Sequence, residues 1–162
     1  MKNLITIVAL LVVALVVPQS AFAQASTTQT VNLEVNALYR ISVSGSPSAL
    51  VVTGGTAGSD TIGVAVDAST TYSITQNVGN TVKLTAGTGS ALPTGLHLYI
   101  RALSTRGTSA GFMNLTNGST VDVVTGIARG ADITQGIRYE FTAQASAGTF
   151  TGSRTVTLTL TN

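Results

Sequence analysis

The stretch AGTFTGSRTVTLTLTN, residues 147–162, closes the chain. From Thr155 it alternates threonine with Val156, Leu158 and Leu160, the two-residue period of a strand with one buried face. A long β-branched strand at a terminus presents a row of unpaired N–H and C=O groups that recruit another strand unless lysine, proline or a bulge blunts it. None of these follows Arg154. The reading of the whole chain turns on what covers this strand.

The opposite end begins with Lys2, an apolar run from Leu4 to Val17, the break at Pro18 and the small-x-small pattern Ala21-Phe22-Ala23. Met1–Ala23 therefore reads as a secretory signal peptide, its apolar run shorter than the roughly 20 residues of a spanning helix. Past the cleavage point, expected at Gln24, no further membrane span is expected. The rest fits one domain. Only 9% of residues are charged, 17 are glycine and none is cysteine, a strand-forming composition whose stability rests on sheet packing without disulfides. With Lys2 set aside, seven basic residues face six acidic ones, a net +1. Nucleic acid and anionic membranes are not implied as partners.

Strand-like runs recur along the chain: 31–35, 38–43, 49–53, 61–66, 71–75, 81–85, 96–102, 112–115, 120–124, 137–143 and 154–161. Gly45-Ser46-Pro47, Gly54-Gly55, Gly79-Asn80, Gly87-Thr88-Gly89, Asn117-Gly118 and Gly148 separate them. Many short strands at this spacing predict an antiparallel all-β sandwich with almost no helix. Segments 105–110 and 129–135 are each expected to hold at most one helical turn. The last two runs read as a hairpin, with Tyr139, Phe141 and Ala143 on one face and Val156, Leu158 and Leu160 on its partner. Tyr139 is either a corner tyrosine of the Ig-like kind, by its spacing, or one more buried aromatic.

Catalysis needs titratable groups brought together, and here His97 is the one histidine among scattered acids. In "GLHLYIRA" it shares the polar face of a strand with Tyr99 and Arg101, and no Asp, Glu or second His at i±2 completes a metal site. No G-x-S-x-G elbow is present. The expectation is no enzyme, no metal and no cofactor. "LPTG" at Leu92–Gly95 lies mid-chain and reads as a proline turn. Lys83, the sole lysine after Lys2, reads as an exposed strand residue rather than one half of an isopeptide with an asparagine. Asn114 and Asn117 fit the N-glycosylation spacing but read as part of a turn.

The segment ASTTQTVNLEVNALYRISVSG, residues 25–45, supplies the complement to the C-terminal strand. Val31, Leu33 and Val35 alternate with Asn32, Glu34 and Asn36, so an extended segment offers three apolar knobs on one face and has no hairpin partner beside it. If this strand of one subunit lies beside the C-terminal strand of the next, each chain completes its neighbour. The contact is heterologous and open, and a filament results.

The cleaved signal, "VNLEVNALYRISVSG", a cysteine-free β-rich body and the closing "AGTFTGSRTVTLTLTN" together resemble the major subunits of chaperone-usher fimbriae of the colonization-factor type. More loosely they resemble the related spore coat protein U-like secreted domains. The resemblance implies an Ig-like β-sandwich, residues 38–162, completed by an N-terminal donor-strand extension, residues 24–37. It implies Val31, Leu33 and Val35 as donor residues, with Val156, Leu158 and Leu160 lining the acceptor groove. It further implies a homopolymer at the cell surface, reached through the periplasm with a chaperone and an outer-membrane usher, supporting attachment. Such subunits often carry an aromatic next to last, where this chain has Thr161. Two other readings stand beside it: a secreted monomeric sandwich that binds a glycan or surface ligand, and a coat or matrix protein without a filament.

Overall fold

Alternating Thr, Val, Ile and Leu with few charges build two antiparallel sheets that bury their apolar faces against each other. The structure, a computed structural model, describes residues 25–162, and the expected signal peptide lies outside them. Residues Val35–Asn162 form a unit by themselves.

Its strands are β1 Tyr39–Val43, β2 Thr61–Gln76, β3 Val82–Gly87, β4 Leu96–Ala102, β5 Thr108–Ser109, β6 Met113–Asn114, β7 Val121–Ile127, β8 Gly130–Gln144 and β9 Thr157–Thr161. One sheet runs β1-β2-β8-β4-β6 and the other β5-β7-β3-β9. A single 3₁₀ turn at Ala145–Ala147 is the helical content of the described residues. None of the described helices is long and apolar enough to cross a membrane.

The core sits between the sheets. Tyr72 and Ile74 of β2, Leu98 and Ile100 of β4 and Ile137 of β8 meet Val82 and Leu84 of β3 and Val123, Val124 and Ile127 of β7. The hydroxyl of Tyr72 donates to the backbone carbonyl of Leu103, giving the buried ring's polar end a partner.

Several sequence expectations change here. The runs 61–66 and 71–75 are one strand, because the polar step Asp67–Thr70 is absorbed as a register shift against β8 instead of a turn. The Ser69 amide and hydroxyl both donate to the Asp67 carboxylate, which stabilises that bulge. Segment 129–135, expected to hold at most one helical turn, is strand from Gly130. Thr134 sits there at φ +54°, its amide bonded to the Ser73 hydroxyl across the ladder. Runs 31–35 and 49–53 pair with no strand among the described residues.

The largest correction concerns the final hairpin. β8 is flanked by β2 on one edge and β4 on the other, so it has no edge left for β9. The chain after Gln144 crosses to the other sheet, where β9 pairs antiparallel with β3, Leu160 opposite Leu84 and Leu158 opposite Ala86. The two apolar faces expected within one hairpin instead confront each other across the sandwich.

Candidate functional site: an open apolar groove

β1 is an edge of the first sheet and β9 an edge of the second, and the two edges lie on the same flank. They meet at one end, where the Tyr39 hydroxyl donates to the Asn162 side-chain oxygen at 3.1 Å. Beyond that meeting point each wall loses its ladder. After Val43 the chain runs through residues 45–52 without a strand partner, and residues 148–156 lead into β9 in the same irregular way.

Between these walls lies a groove of about 1180 Å³, with Leu96, Leu98, Ile137, Tyr139, Phe141 and Ala143 beneath it. Small-molecule sites usually measure roughly 300–1,000 Å³. This groove exceeds that range and runs along a sheet edge, the proportions of an extended segment.

The walls are tethered at a few polar points. The Ser48 amide donates to Asp67 Oδ2 at 3.2 Å, and the Ser44 and Thr71 amides bond back and forth between the wall and β2. The Ser69 hydroxyl and amide hold the Asp67 carboxyl below its ordinary value, with the Ser48 bond adding to them against a smaller opposing effect of burial. On the other wall Arg154 Nη2 donates to the Ala91 carbonyl at 2.9 Å.

The lining is chemically plain. It contains the Tyr139 phenol, pushed up from its usual range by burial and secondarily by the Asp67 charge, and the Arg154 guanidinium, with no carboxylate, imidazole or thiol. Two polar atoms of lining residues are left over: Thr70 Oγ1 and Arg154 Nε are each buried without a hydrogen-bond partner among the described residues. A buried hydroxyl in that condition costs free energy until a partner arrives.

Compared with protein-family models, with curated proteins and with solved structures, the chain matches none.

Val156 and Leu158 line the groove, whereas Leu160 packs against the buried core and is not part of the lining. β9 pairs with β3 alone, so its outer edge has no ladder partner among the described residues. Tyr139 belongs to the groove floor, and its hydroxyl makes no hydrogen bond among the described residues; the tyrosine that bonds a backbone carbonyl is Tyr72. Val31, Leu33 and Val35 are 67%, 88% and 86% exposed. Asn77 marks where the extension leaves the body, receiving the Leu38 amide at 2.6 Å and donating to the Asn36 carbonyl at 2.8 Å.

Sequence reasoning missed the 45–52 wall and Thr70. The apolar triplet Leu50-Val51-Val52 carried a signal, read as a strand of its own; nothing marked Thr70, because an unpaired hydroxyl is visible only in three dimensions.

Lys83 forms an ion pair with Asp122 at 3.1 Å, both side chains partly exposed, as expected of a surface lysine rather than an isopeptide donor. Among the described residues no three His, Cys, Asp or Glu side chains gather as metal ligands.

Proposed function

We propose that this chain is the structural subunit of an extracellular filament, in which the N-terminal strand of one copy fills the groove of the next. The observation that carries the reading is an open apolar groove beside the free edge of β9, in a chain whose own segment displays three alternating apolar side chains to solvent. A strand laid along β9 pairs that edge's backbone groups and buries its alternate side chains against the floor.

Burial of Val31, Leu33 and Val35 contributes roughly 1.5–3 kcal/mol each, and each ladder hydrogen bond about 0.5–1.5 kcal/mol, before the ordering of the segment is subtracted. The balance favours a long-lived contact. Gln29 shares the face of the three apolar residues by the two-residue period, which gives the inserted strand a polar group to offer Thr70. A subunit with its groove open has an apolar surface to protect before assembly, a task suited to a chaperone in the periplasm and an usher at the outer membrane. Attachment of the cell to a surface is the role such a filament serves.

Leu33→Asp tests the reading, since a carboxylate has no solvated place inside the groove. The expected outcome is loss of polymers with a body that still folds when a peptide spanning residues 28–36 is supplied. If the segment pairs within its own chain, the same substitution unfolds the single subunit instead, and the wild type runs as one species at every concentration.

A further inference from the structure

The outer face of the five-stranded sheet carries a second feature, independent of what fills the groove. On β4, His97, Tyr99 and Arg101 alternate with the buried Leu98 and Ile100, and on β8, Arg138 and Glu140 alternate with the buried Ile137 and Tyr139. Arg101 and Arg138 stand directly opposite each other in the ladder. Like charges at opposed positions repel.

The half-exposed ring of Phe112 lies against both guanidiniums, 5.9 Å from Arg101 and 5.5 Å from Arg138. Its π face offsets part of the repulsion and fixes the two cations side by side. Glu140 reaches Arg138 only at 3.9 Å, and Arg101 has no carboxylate or hydrogen-bond partner among the described residues. The pair therefore keeps a net positive charge and planar N–H forks open to solvent, the donor array that a carboxylate accepts in bidentate fashion.

Two residues along β4, about 7 Å, Tyr99 begins a short aromatic track with His97, their ring centroids 6.4 Å apart. Aromatic faces receive the C–H face of a pyranose ring. We infer that this face binds an acidic saccharide, its carboxylate held between Arg101 and Arg138 and its neighbouring sugar ring resting on Tyr99. A second copy of the chain is a poor occupant. Asp122 is paired with Lys83, Asp67 and Asp132 are buried and hydrogen-bonded, and Glu140 belongs to this same face, so another copy brings only Glu34 and Asp60.

The test is biolayer interferometry at low salt on the immobilised exported protein, with trigalacturonate, its methyl ester and inorganic phosphate as probes. The acid is expected to bind at least tenfold more tightly than the ester. Arg101→Gln is expected to weaken it about tenfold or more, while Arg101→Lys restores only part, since a point charge cannot reproduce the fork. Tyr99→Ala is expected to reduce trigalacturonate binding as well. Arg101 is exposed, so an unchanged melting temperature verifies folding, and Arg138→Gln serves as a second reporter. Equal binding of acid and ester, indifference to both arginine substitutions, or displacement by phosphate at equal concentration would each overturn the inference, the last by reducing the face to a general anion patch.

Discussion

The two flanks of the sandwich are built from the same material and end differently. On the β7 side Val123, Val124 and Ile127 are fully buried in the core cluster. On the β1–β9 side Val156 and Leu158 alternate with threonine and remain half-exposed along an open groove. The difference is one missing neighbour. Alternation says that a strand needs a covered face; it does not say whether the cover comes from the same chain.

If that contrast holds, damage on the closed flank acts on the single subunit. Leu84→Ala, at a fully buried position, is expected to cost about 2–5 kcal/mol, read as a lower denaturation midpoint that no added N-terminal peptide repairs. Full rescue by the peptide would erase the distinction between the flanks.

Acid sharpens the comparison, because one carboxylate fastens each region. Asp132 receives the Ser104 hydroxyl at 2.5 Å and the Thr105 hydroxyl at 2.7 Å, fastening the loop after β4, and Asp67 fastens the groove wall at Ser48. At Asp132 burial pushes the carboxyl up, but the hydrogen bonds from Ser104 and Thr105 outweigh it and hold it below its ordinary value. A depressed native pKa gives stability that is complete above the unfolded value near ~3.9 and is lost as pH falls through the native one. Unfolding followed by circular dichroism is therefore expected to show stability falling from about pH 4 downward. Asp132→Asn costs about 1–3 kcal/mol at neutral pH and flattens that acid dependence.

The smallest effect is the most discriminating. Thr70→Val removes the unpartnered hydroxyl from the groove. It is expected to leave the isolated subunit equally or slightly more stable, and to weaken the filled groove by about 0.5–1.5 kcal/mol, the worth of one hydrogen bond. The readout is the temperature at which polymers dissociate in SDS. Polymers that become more heat-resistant would show that no polar group of the inserted strand reaches Thr70.

The class of fold and the positions of most strands were legible because a two-residue period and glycine punctuation are local signals. The partnering of strands was not. Nothing near Tyr139 states that β8 has neighbours on both edges, and so the chain was read as returning in a hairpin when it crosses to the other sheet. The run 61–66 ends before Asp67 because the polar Asp67, Ser69 and Thr70 interrupt the apolar pattern, and the Ser69 bonds to Asp67 that make this a bulge within a continuing strand depend on three-dimensional geometry. At the groove, Val156 and Leu158 carried the alternation and could be named, whereas the 45–52 wall lacks a ladder and therefore a period. The pairing of Arg101 with Arg138 beneath Phe112 depends on register between distant segments, and no spacing along the chain announces it.

The central claim is that the groove of one copy holds the N-terminal strand of another. The chain has no cysteine, so a disulfide between introduced cysteines reports one contact without background. Leu33→Cys and Leu158→Cys combined in one chain, exported and oxidised, then boiled in SDS without reductant, give the most direct measurement. The account predicts a ladder of covalent multiples that collapses to one band on reduction, with either single substitution giving nothing beyond a dimer. A single band at monomer mass, carrying the disulfide within one chain, would contradict it.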